Sequence, residues 1–231
     1  GNDSNSLAIV VSLSHVIGDG HTFYQIHNML SQTAQIRALN PERPTNLDDA
    51  LRAAMAPGEF DLSLSNMEVG ANIGIINLCA FEVDNNTVKE KKEAYKAATG
   101  TEPRPQFIST NDIITSWAMT STNCDVGEMV VNMRSRLTAL PNGGDNMAGN
   151  IAIVLCYRPQ DYRTPELIRR SITVKAGVYQ RAGKGSLPEF LAKKYNTTLV
   201  TNLTTFAKDL DLPGYTQILH FPLLEVRCGF S

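Results

Sequence analysis

The stretch Leu-Ala-Ile-Val-Val-Ser-Leu-Ser-His-Val-Ile-Gly-Asp-Gly, residues 7–20, decides the fold predicted for this chain. Its first half, from Leu7 to Leu13, is apolar and rich in β-branched residues, which is typical of a buried strand. A turn of small and polar residues follows and contains His15 and Asp19. From Thr22 to about Leu39, apolar residues recur mostly at helical spacing. We therefore predict a strand, a turn that carries a histidine, and a helix.

The rest of the chain alternates between strand-like and helix-like segments. Strands are predicted over residues 72–83, 128–133, 151–157, 197–203 and 218–226. Helices are predicted over residues 47–55, 85–98 and 113–120, and two more helical stretches follow Thr164. The first of these begins with Thr164-Pro165-Glu166, which combines an N-cap, a proline at the first helical position and an early acid. This alternation predicts the α/β class.

Composition argues against several classes of protein. The formal net charge is −2 and no run of Lys or Arg occurs, so nucleic-acid binding is not expected. The chain has no apolar run of bilayer length and no signal-peptide pattern at its first residues, so we expect no membrane partner and a cytoplasmic location. Widely spaced cysteines argue against a metal site and favour buried free thiols. They are Cys79, Cys124, Cys156 and Cys228.

The predicted turn contains a His-x-x-x-Asp-Gly pattern formed by His15, Asp19 and Gly20. Histidine suits general-base chemistry because its pKa lies near working pH. Asp19 could pin the loop by pairing with an Arg, and Gly18 and Gly20 would permit a sharp chain reversal. The alternative is structural, namely a loop histidine beside an Asp-Gly pair that forms a turn. The pattern alone leaves both interpretations open.

Four segments resemble, in the same order along the chain, segments of the BAHD acyltransferases. These are plant and fungal enzymes of secondary metabolism that include the trichothecene acetyltransferases. The resembling segments are Ser14–Tyr24, with the His-x-x-x-Asp-Gly pattern, Phe107–Thr115, Val131–Leu137, and Gly149-Asn150, where Ala148 replaces the family's aromatic residue. Four weak matches in the family's order are far less probable by chance than any one of them.

The resemblance implies a two-domain fold like that of chloramphenicol acetyltransferase, with a mixed sheet and flanking helices. Only Gly1 to Ser14 precede His15, whereas the family has a long segment there. We therefore expect an incomplete first domain, whose C-terminal part and crossover occupy residues 1–60, and a second domain over residues 61–231. A complementary N-terminal segment or a second chain is the partner that this expectation implies.

The resemblance also implies the activity, which is transfer of an acyl group from acyl-CoA to a small-molecule alcohol or amine. Acyl-CoA is then a co-substrate, and neither a bound cofactor nor a metal is implied. His15 is the general base in a channel between the domains. Asp19 points away and pairs with Arg134, in preference to Arg136, and Gly20 is structural. Three further residues are expected to line the substrate or CoA channel, namely Thr110, Asn150 and Thr201.

Departures from the family leave alternatives open. The family's Asp-Phe-Gly-Trp-Gly motif has two candidate equivalents, Asp211–Gly214, which we prefer, and Arg227–Phe230. The short segment before His15 favours a second hypothesis, a truncated, non-catalytic binding module. A third is a condensation-type enzyme that uses a carrier-protein thioester, although Ser14 stands where such domains usually have another histidine.

Other residues are expected to be structural. Ser109 and Thr110 are interpreted first as helix N-cap residues. Trp117 is predicted to lie in the core. The remaining histidines are predicted to be surface or core residues rather than ligands or bases, and they are His21, His27 and His220.

Overall fold

The computed structural model describes residues 6–61, 79–98, 104–173, 178–181 and 195–222. Within them the chain is mixed α/β, with helices and a three-stranded mixed sheet, which confirms the predicted class. The helices are α1 (Gly20–Asn28), α2 (Leu47–Ala53), α3 (Asn85–Ala97), α4 (Thr110–Ser121), α5 (Pro159–Tyr162) and α6 (Pro165–Ile172). The strands are β1 (Val126–Asn132), β2 (Ala152–Tyr157) and β3 (Thr197–Val200), and Pro141–Gly144 form a 3₁₀ turn. No helix in these ranges is long and apolar enough to cross a membrane.

Contacts group the chain into two compact units, each assembled from segments far apart in sequence. Unit 1 comprises Gly1–Leu47, Asn132–Ala152 and Asn202–Glu225. Unit 2 comprises Asp48–Val131, Ile153–Thr201 and Val226–Ser231. This grouping does not test the domain boundary expected at residue 60, which stays a prediction.

The sheet orders its strands β2-β1-β3. Strands β1 and β3 run parallel, with Val126 opposite Thr197 and Met129 opposite Val200. Parallel neighbours require a crossover connection, and the chain between these two strands contains α5 and α6. β1 and β2 match the predicted strands closely, whereas β3 ends at Val200 rather than at residue 203.

Helix α4 of unit 2 begins at Thr110, three residues before the predicted start, and Ser109 is its N-cap in a Ser-x-x-Asp capping box. The hydroxyl of Ser109 accepts the N–H of Asp112 at 3.3 Å, and the Asp112 carboxylate accepts the N–H of Ser109 at 2.6 Å. The same carboxylate is fully buried and pairs with Arg169 of α6 at 2.6 Å. The helix start is therefore also the point where α4 and α6 are joined.

Helix α1 of unit 1 ends at Asn28, well before the predicted end near residue 39. After Asn28 the next three N–H groups donate to carbonyls three residues back rather than four, and the helical pattern then ends. The N–H of Gln32 donates to the carbonyl of Asp211 at 2.9 Å. The N–H of Arg37 donates to the sulfur of Met29 at 3.3 Å. Helical spacing in the sequence therefore overestimated the helix by about three turns.

Two predicted strands are wrong in the part of the chain that the structure describes. Residues 7–13 form no strand there, and Val10 is 90% exposed. Residues 218–222 also form none, and Ile218 is 92% exposed. A strand needs a neighbour for its N–H and C=O groups, and no described residue pairs with either segment. The predicted strand over 72–83 is irregular over 79–83, and its remainder, like residues 223–226, lies outside the described residues.

The buried side chains differ in part from the predicted core. Trp117 is 59% exposed on α4, so its predicted place in the core is wrong. Cys124 and Cys156 are buried free thiols as expected, whereas Cys79 is exposed. Cys228 lies outside the described residues.

Candidate functional site

His15 lies at the tip of a tight turn in unit 1. The N–H of Ile17 donates to the carbonyl of Ser14 at 3.1 Å and closes the turn. The Ser14 hydroxyl also accepts the N–H of Val16 at 3.4 Å. His15 is exposed, and no described residue hydrogen-bonds to its ring. The turn therefore presents the imidazole to solvent, and the groups that fix it act on the main chain.

Asn150 is one of the groups that hold the His15 main chain. Its Nδ2 donates to the carbonyl of His15 at 2.8 Å, across a sequence separation of 135 residues. Its Oδ1 is buried and accepts no hydrogen bond from a described residue. The carbonyl of Asn150 in turn accepts from Arg43 at 3.3 Å. Asn150 was predicted to line a channel, and its hydrogen bond to the histidine's own backbone was not foreseen.

Asp19 is the N-cap of α1. Its Oδ1 accepts the N–H of Thr22 at 3.0 Å and the Thr22 hydroxyl at 3.1 Å. Its Oδ2 accepts the N–H of Ile151 at 3.0 Å and pairs with Arg134 at 2.7 Å. Both carboxylate oxygens are therefore committed to structural donors.

Arg134 is the centre of the polar network that surrounds the turn. Its side chain is 1% exposed and donates to acceptors on several segments of unit 1. Besides Asp19, these acceptors are the carbonyls of Met147 and Gly149, the hydroxyl of Thr22 and the side chain of Asn132. A planar guanidinium can serve acceptors in several directions at once, so this one residue joins α1, the end of β1 and the 147–149 loop. Asp19 and Arg134 are the pair that the resemblance implies, and their place in an active site stays a prediction.

The ionisation of Asp19 reflects opposing effects. Burial raises the pKa of its carboxyl, but the hydrogen bond and charge of Arg134, together with the N–H groups of Ile151 and Thr22, outweigh this and lower the pKa below its usual 3.8. Asp19 is therefore ionised at neutral pH and is unsuited to act as a proton donor.

The two glycines of the turn lie close to neighbouring side chains and are not needed for the chain reversal. Neither Gly18 nor Gly20 has the positive φ that favours glycine, so the reversal expected of them is wrong. A Cβ on Gly18 would lie 2.7 Å from a methyl group of Thr22, and a Cβ on Gly20 would collide with Leu203. A larger residue at either position would therefore displace a neighbouring side chain.

A cavity of about 320 Å³ opens next to the His15 turn, and all of its lining residues belong to unit 1. Val16 and Ile17, which follow His15 directly, form part of its lining, and so do Ala148 and Asn150. The residue that holds the His15 carbonyl therefore also lines the cavity. No signal in the sequence predicted Val16 and Ile17 as lining residues.

Two of the predicted channel residues belong to unit 2. Thr110 is the first residue of α4, and its hydroxyl accepts from the Lys92 ammonium at 2.8 Å. Thr201 is an exposed residue that follows β3. Their expected role in lining a channel stays a prediction.

The other histidines of unit 1 belong to an aromatic cluster and a surface contact. His220 bonds to the buried Tyr24 hydroxyl at 2.8 Å, and its ring centroid lies 4.9 Å from that of the buried His27. Burial, followed by the neighbouring His27, lowers the pKa of His220. His21 packs edge-on against Phe206, and burial, followed by the charge of Arg134, lowers its pKa. These contacts agree with the structural roles expected of all three.

Asp211–Gly214, the preferred candidate for the Asp-Phe-Gly-Trp-Gly motif of BAHD acyltransferases, forms a tight turn, and that equivalence stays a prediction. The N–H of Tyr215 donates to the carbonyl of Leu212 at 3.1 Å, and Gly214 has a φ of +77°. Asp211 accepts from Gln32 through both its carbonyl and its carboxylate, so the turn fixes the segment that follows α1. The other candidate, Arg227–Phe230, lies outside the described residues.

Sequence reasoning missed Thr22 as a member of the network. Its hydroxyl contacts Asp19, Arg134 and the carbonyl of Gly149. An Asp that is followed three residues later by Thr at a helix start is a capping signal, so the contact of Thr22 with Asp19 was predictable. Its contacts with Arg134 and Gly149, more than 100 residues away, were not predictable.

Comparisons with protein-family models, curated protein sequences and solved structures return no match for this chain. Among the described residues, no group of three or more His, Cys, Asp or Glu side chains is placed to hold a metal ion.

Proposed function

We propose that this chain is an acyltransferase that moves an acyl group from acyl-CoA to a small-molecule alcohol or amine. His15 is the general base, and the chain has the architecture of the chloramphenicol acetyltransferase type. The observation that carries the proposal is an exposed histidine whose main-chain carbonyl is hydrogen-bonded by Asn150, a residue that lines an apolar cavity next to the turn. The ordered resemblance of four segments to BAHD acyltransferases supports the same reaction.

The exposure of the His15 ring is consistent with a general base that a substrate can reach from solvent. A general base must come within hydrogen-bond distance of the proton that it removes. A ring on the tip of the Ser14–Ile17 turn can be approached from outside, whereas its carbonyl is fixed by Asn150. This arrangement keeps the ring available and limits the movement of the residue that carries it.

The reaction requires one proton acceptor and no covalent acyl-enzyme. A ring nitrogen of His15 takes the proton of the alcohol or amine as the oxygen or nitrogen of that substrate bonds to the thioester carbonyl carbon. The tetrahedral intermediate then collapses, the C–S bond breaks, and the imidazolium returns the proton to the CoA sulfur. The charge of the imidazolium appears only transiently, so the base is regenerated in each turnover.

Asp19 acts as scaffold in this mechanism. Its oxygens accept from Thr22, Ile151 and Arg134, which leaves the carboxylate committed to the start of α1 and to the 147–151 loop. The pair keeps the turn residues on either side of Gly18 in one arrangement. It therefore supports His15 through the backbone and not through proton transfer.

The test is release of free CoA thiol from acetyl-CoA, measured with a panel of alcohols and amines. Turnover by the wild-type chain is expected, and His15→Ala should lower the rate by about 10²–10⁴-fold because general-base assistance is worth that much. His21→Ala, on the neighbouring helix turn, is the matched control and should retain the rate.

Two results would overturn the proposal. One is absence of turnover with every acceptor by the folded wild-type chain, tested alone and in any longer form that contains it, which would favour a binding module. The other is full activity of a folded His15→Ala chain. A parallel assay with an acylated, pantetheinylated carrier protein identifies the donor. Transfer from the carrier but not from acetyl-CoA would show that the donor is a carrier-protein thioester.

A further inference from the structure

The cavity beside the His15 turn has a floor of tightly packed apolar side chains. Leu47, Met147 and Ile151 line it, and each of them is at most 2% exposed. Ala148 lines the cavity between Met147 and the following glycine. A floor of this kind offers van der Waals contact and few hydrogen-bonding groups.

The walls of the cavity are fixed by backbone hydrogen bonds. The N–H of Ala148 donates to the carbonyl of Asn40 at 2.8 Å, and the N–H of Asn40 donates to the carbonyl of Asn146 at 2.8 Å. The N–H of Ile151 is held by the Asp19 carboxylate at 3.0 Å. The cavity is therefore formed before any ligand arrives, as is usual for small-molecule sites.

The rim of the cavity exposes apolar surface. Val16 is 86% exposed and Ile17 is 60% exposed, although both line the cavity. A contiguous apolar rim over an apolar floor gains stability when a ligand covers it, because that surface leaves water. The polar side chains of the lining are Arg43 and Asn150, and both make hydrogen bonds within the loop network at the edge.

We propose that this cavity binds an uncharged apolar group of the substrate, a short aliphatic chain or a single aromatic ring, and that Ala148 sets its size. The volume of about 320 Å³ lies at the lower end for small-molecule pockets, which fits a short chain or a single ring. The lining contains no carboxylate to pair with a cation, and the guanidinium of Arg43, its charged residue, donates to the carbonyl of Asn150. The apolar group belongs either to the acyl donor or to the acceptor, and its identity as substrate rests on the proposed function.

The cavity itself is tested by binding. Hexan-1-ol is titrated into protein with labelled Met and Ile methyl groups, and the methyl signals of Met147, Ile17 and Ile151 should shift. Signals of Ile113 and Ile168, in the core of unit 2, should not. Ala148→Phe should weaken hexan-1-ol binding by at least about tenfold, since a few methylenes in an apolar pocket are worth that factor. Ala97→Phe, at an exposed helix end, is the matched control.

The source of the apolar group is tested by turnover in two arms. In one, acetyl-CoA, hexanoyl-CoA and palmitoyl-CoA are compared with a fixed acceptor, and in the other, short and long alcohols are compared with acetyl-CoA. Ala148→Phe, or the smaller Ala148→Leu if the first variant unfolds, should lower kcat/KM for the six-carbon substrate at least tenfold in one arm. Loss of turnover with retained methyl shifts would count against the proposed function alone. Absence of shifts at the lining methyl groups, or hexan-1-ol binding unchanged by both Ala148 variants, would overturn the inference.

Discussion

The side chain of Asn150 donates from Nδ2 to the main-chain carbonyl of His15 at 2.8 Å, so a residue 135 positions away holds the histidine through its backbone. This contact fixes the main chain of the residue that carries the exposed imidazole ring. The contact also joins the His15 turn to the loop that lines the neighbouring cavity. Its expected consequence is a change in turnover rather than in substrate affinity.

Asn150→Ala and Asn150→Asp both remove the donor to the His15 carbonyl. We expect each variant to lower kcat about five- to tenfold, because a single hydrogen bond contributes on the order of 1 kcal/mol, with little change in KM. Steady-state kinetics with acetyl-CoA separate the two parameters. A kcat that matches wild type in both folded variants would show that the contact does not position the base.

Asp19→Asn removes one charge of a pair whose side chains are 12% and 1% exposed. We expect a loss of about 3 kcal/mol in the free energy of unfolding at neutral pH, since breaking a buried ion pair leaves the Arg134 charge uncompensated. The measurement is urea unfolding, with the exposed Asp211→Asn as a control that should cost no more than about 0.5 kcal/mol.

The effect of Asp19→Asn should depend on pH in one direction. The pKa of Asp19 is lowered in the folded protein, so its contribution is complete above the ordinary carboxyl value of 3.8 and is lost as pH falls through the lower folded value. The difference in unfolding free energy between wild type and variant should therefore shrink as the pH falls below 3.8. An equal difference at acid and neutral pH would contradict the pairing.

Gly149→Ala tests a backbone constraint beside the site. Gly149 has a φ of +113°, outside the conformations that L-residues prefer, although a Cβ there would meet no atom within 4 Å. We expect destabilisation of about 1–3 kcal/mol from backbone strain alone. Gly58→Ala, at a φ of +80° with equally open space, should cost about 1–2 kcal/mol because that region is less strained. Thermal and urea unfolding compare the two, and a neutral Gly149→Ala would exclude the strain.

His220 and His21 should make the protein less stable on acidification. Burial lowers the pKa of both below 6.5, so the unfolded chain binds protons more readily, and stability falls as pH drops below that value. His220→Gln and His21→Gln should each flatten the change in unfolding free energy between about pH 7.5 and about pH 5. A slope that neither variant alters would contradict the burial of these rings.

The local signals of the sequence predicted several elements well. The Ser109–Asp112 capping box marks the start of α4, and Thr164-Pro165 marks the start of α6, because capping depends on residues within one turn. Strands β1 and β2 followed from runs of apolar and β-branched residues. The His-x-x-x-Asp-Gly pattern likewise placed Asp19 at a helix start.

The predictions that were wrong concern features that depend on residues far away in the sequence. The apolar run over residues 7–13 has the composition of a strand, but a strand exists only where another segment accepts its hydrogen bonds. Helix α1 ends early, and beyond its last turn the N–H of Gln32 donates to the carbonyl of Asp211, a distant acceptor that helical spacing does not reveal. Trp117 occupies an exposed face of α4 although it was predicted to lie in the core.

The sequence by itself determined that a histidine stands in a turn before a helix capped by Asp19, because those features arise within a few residues of the chain. It also named Arg134 as the partner of that aspartate, through a resemblance. Only the tertiary structure decided that Asn150 holds the His15 carbonyl, that Thr22 joins the Arg134 network, and that Val16 and Ala148 share a cavity. These contacts cross 100 residues or more, and burial and backbone hydrogen bonding select them only when the chain is folded.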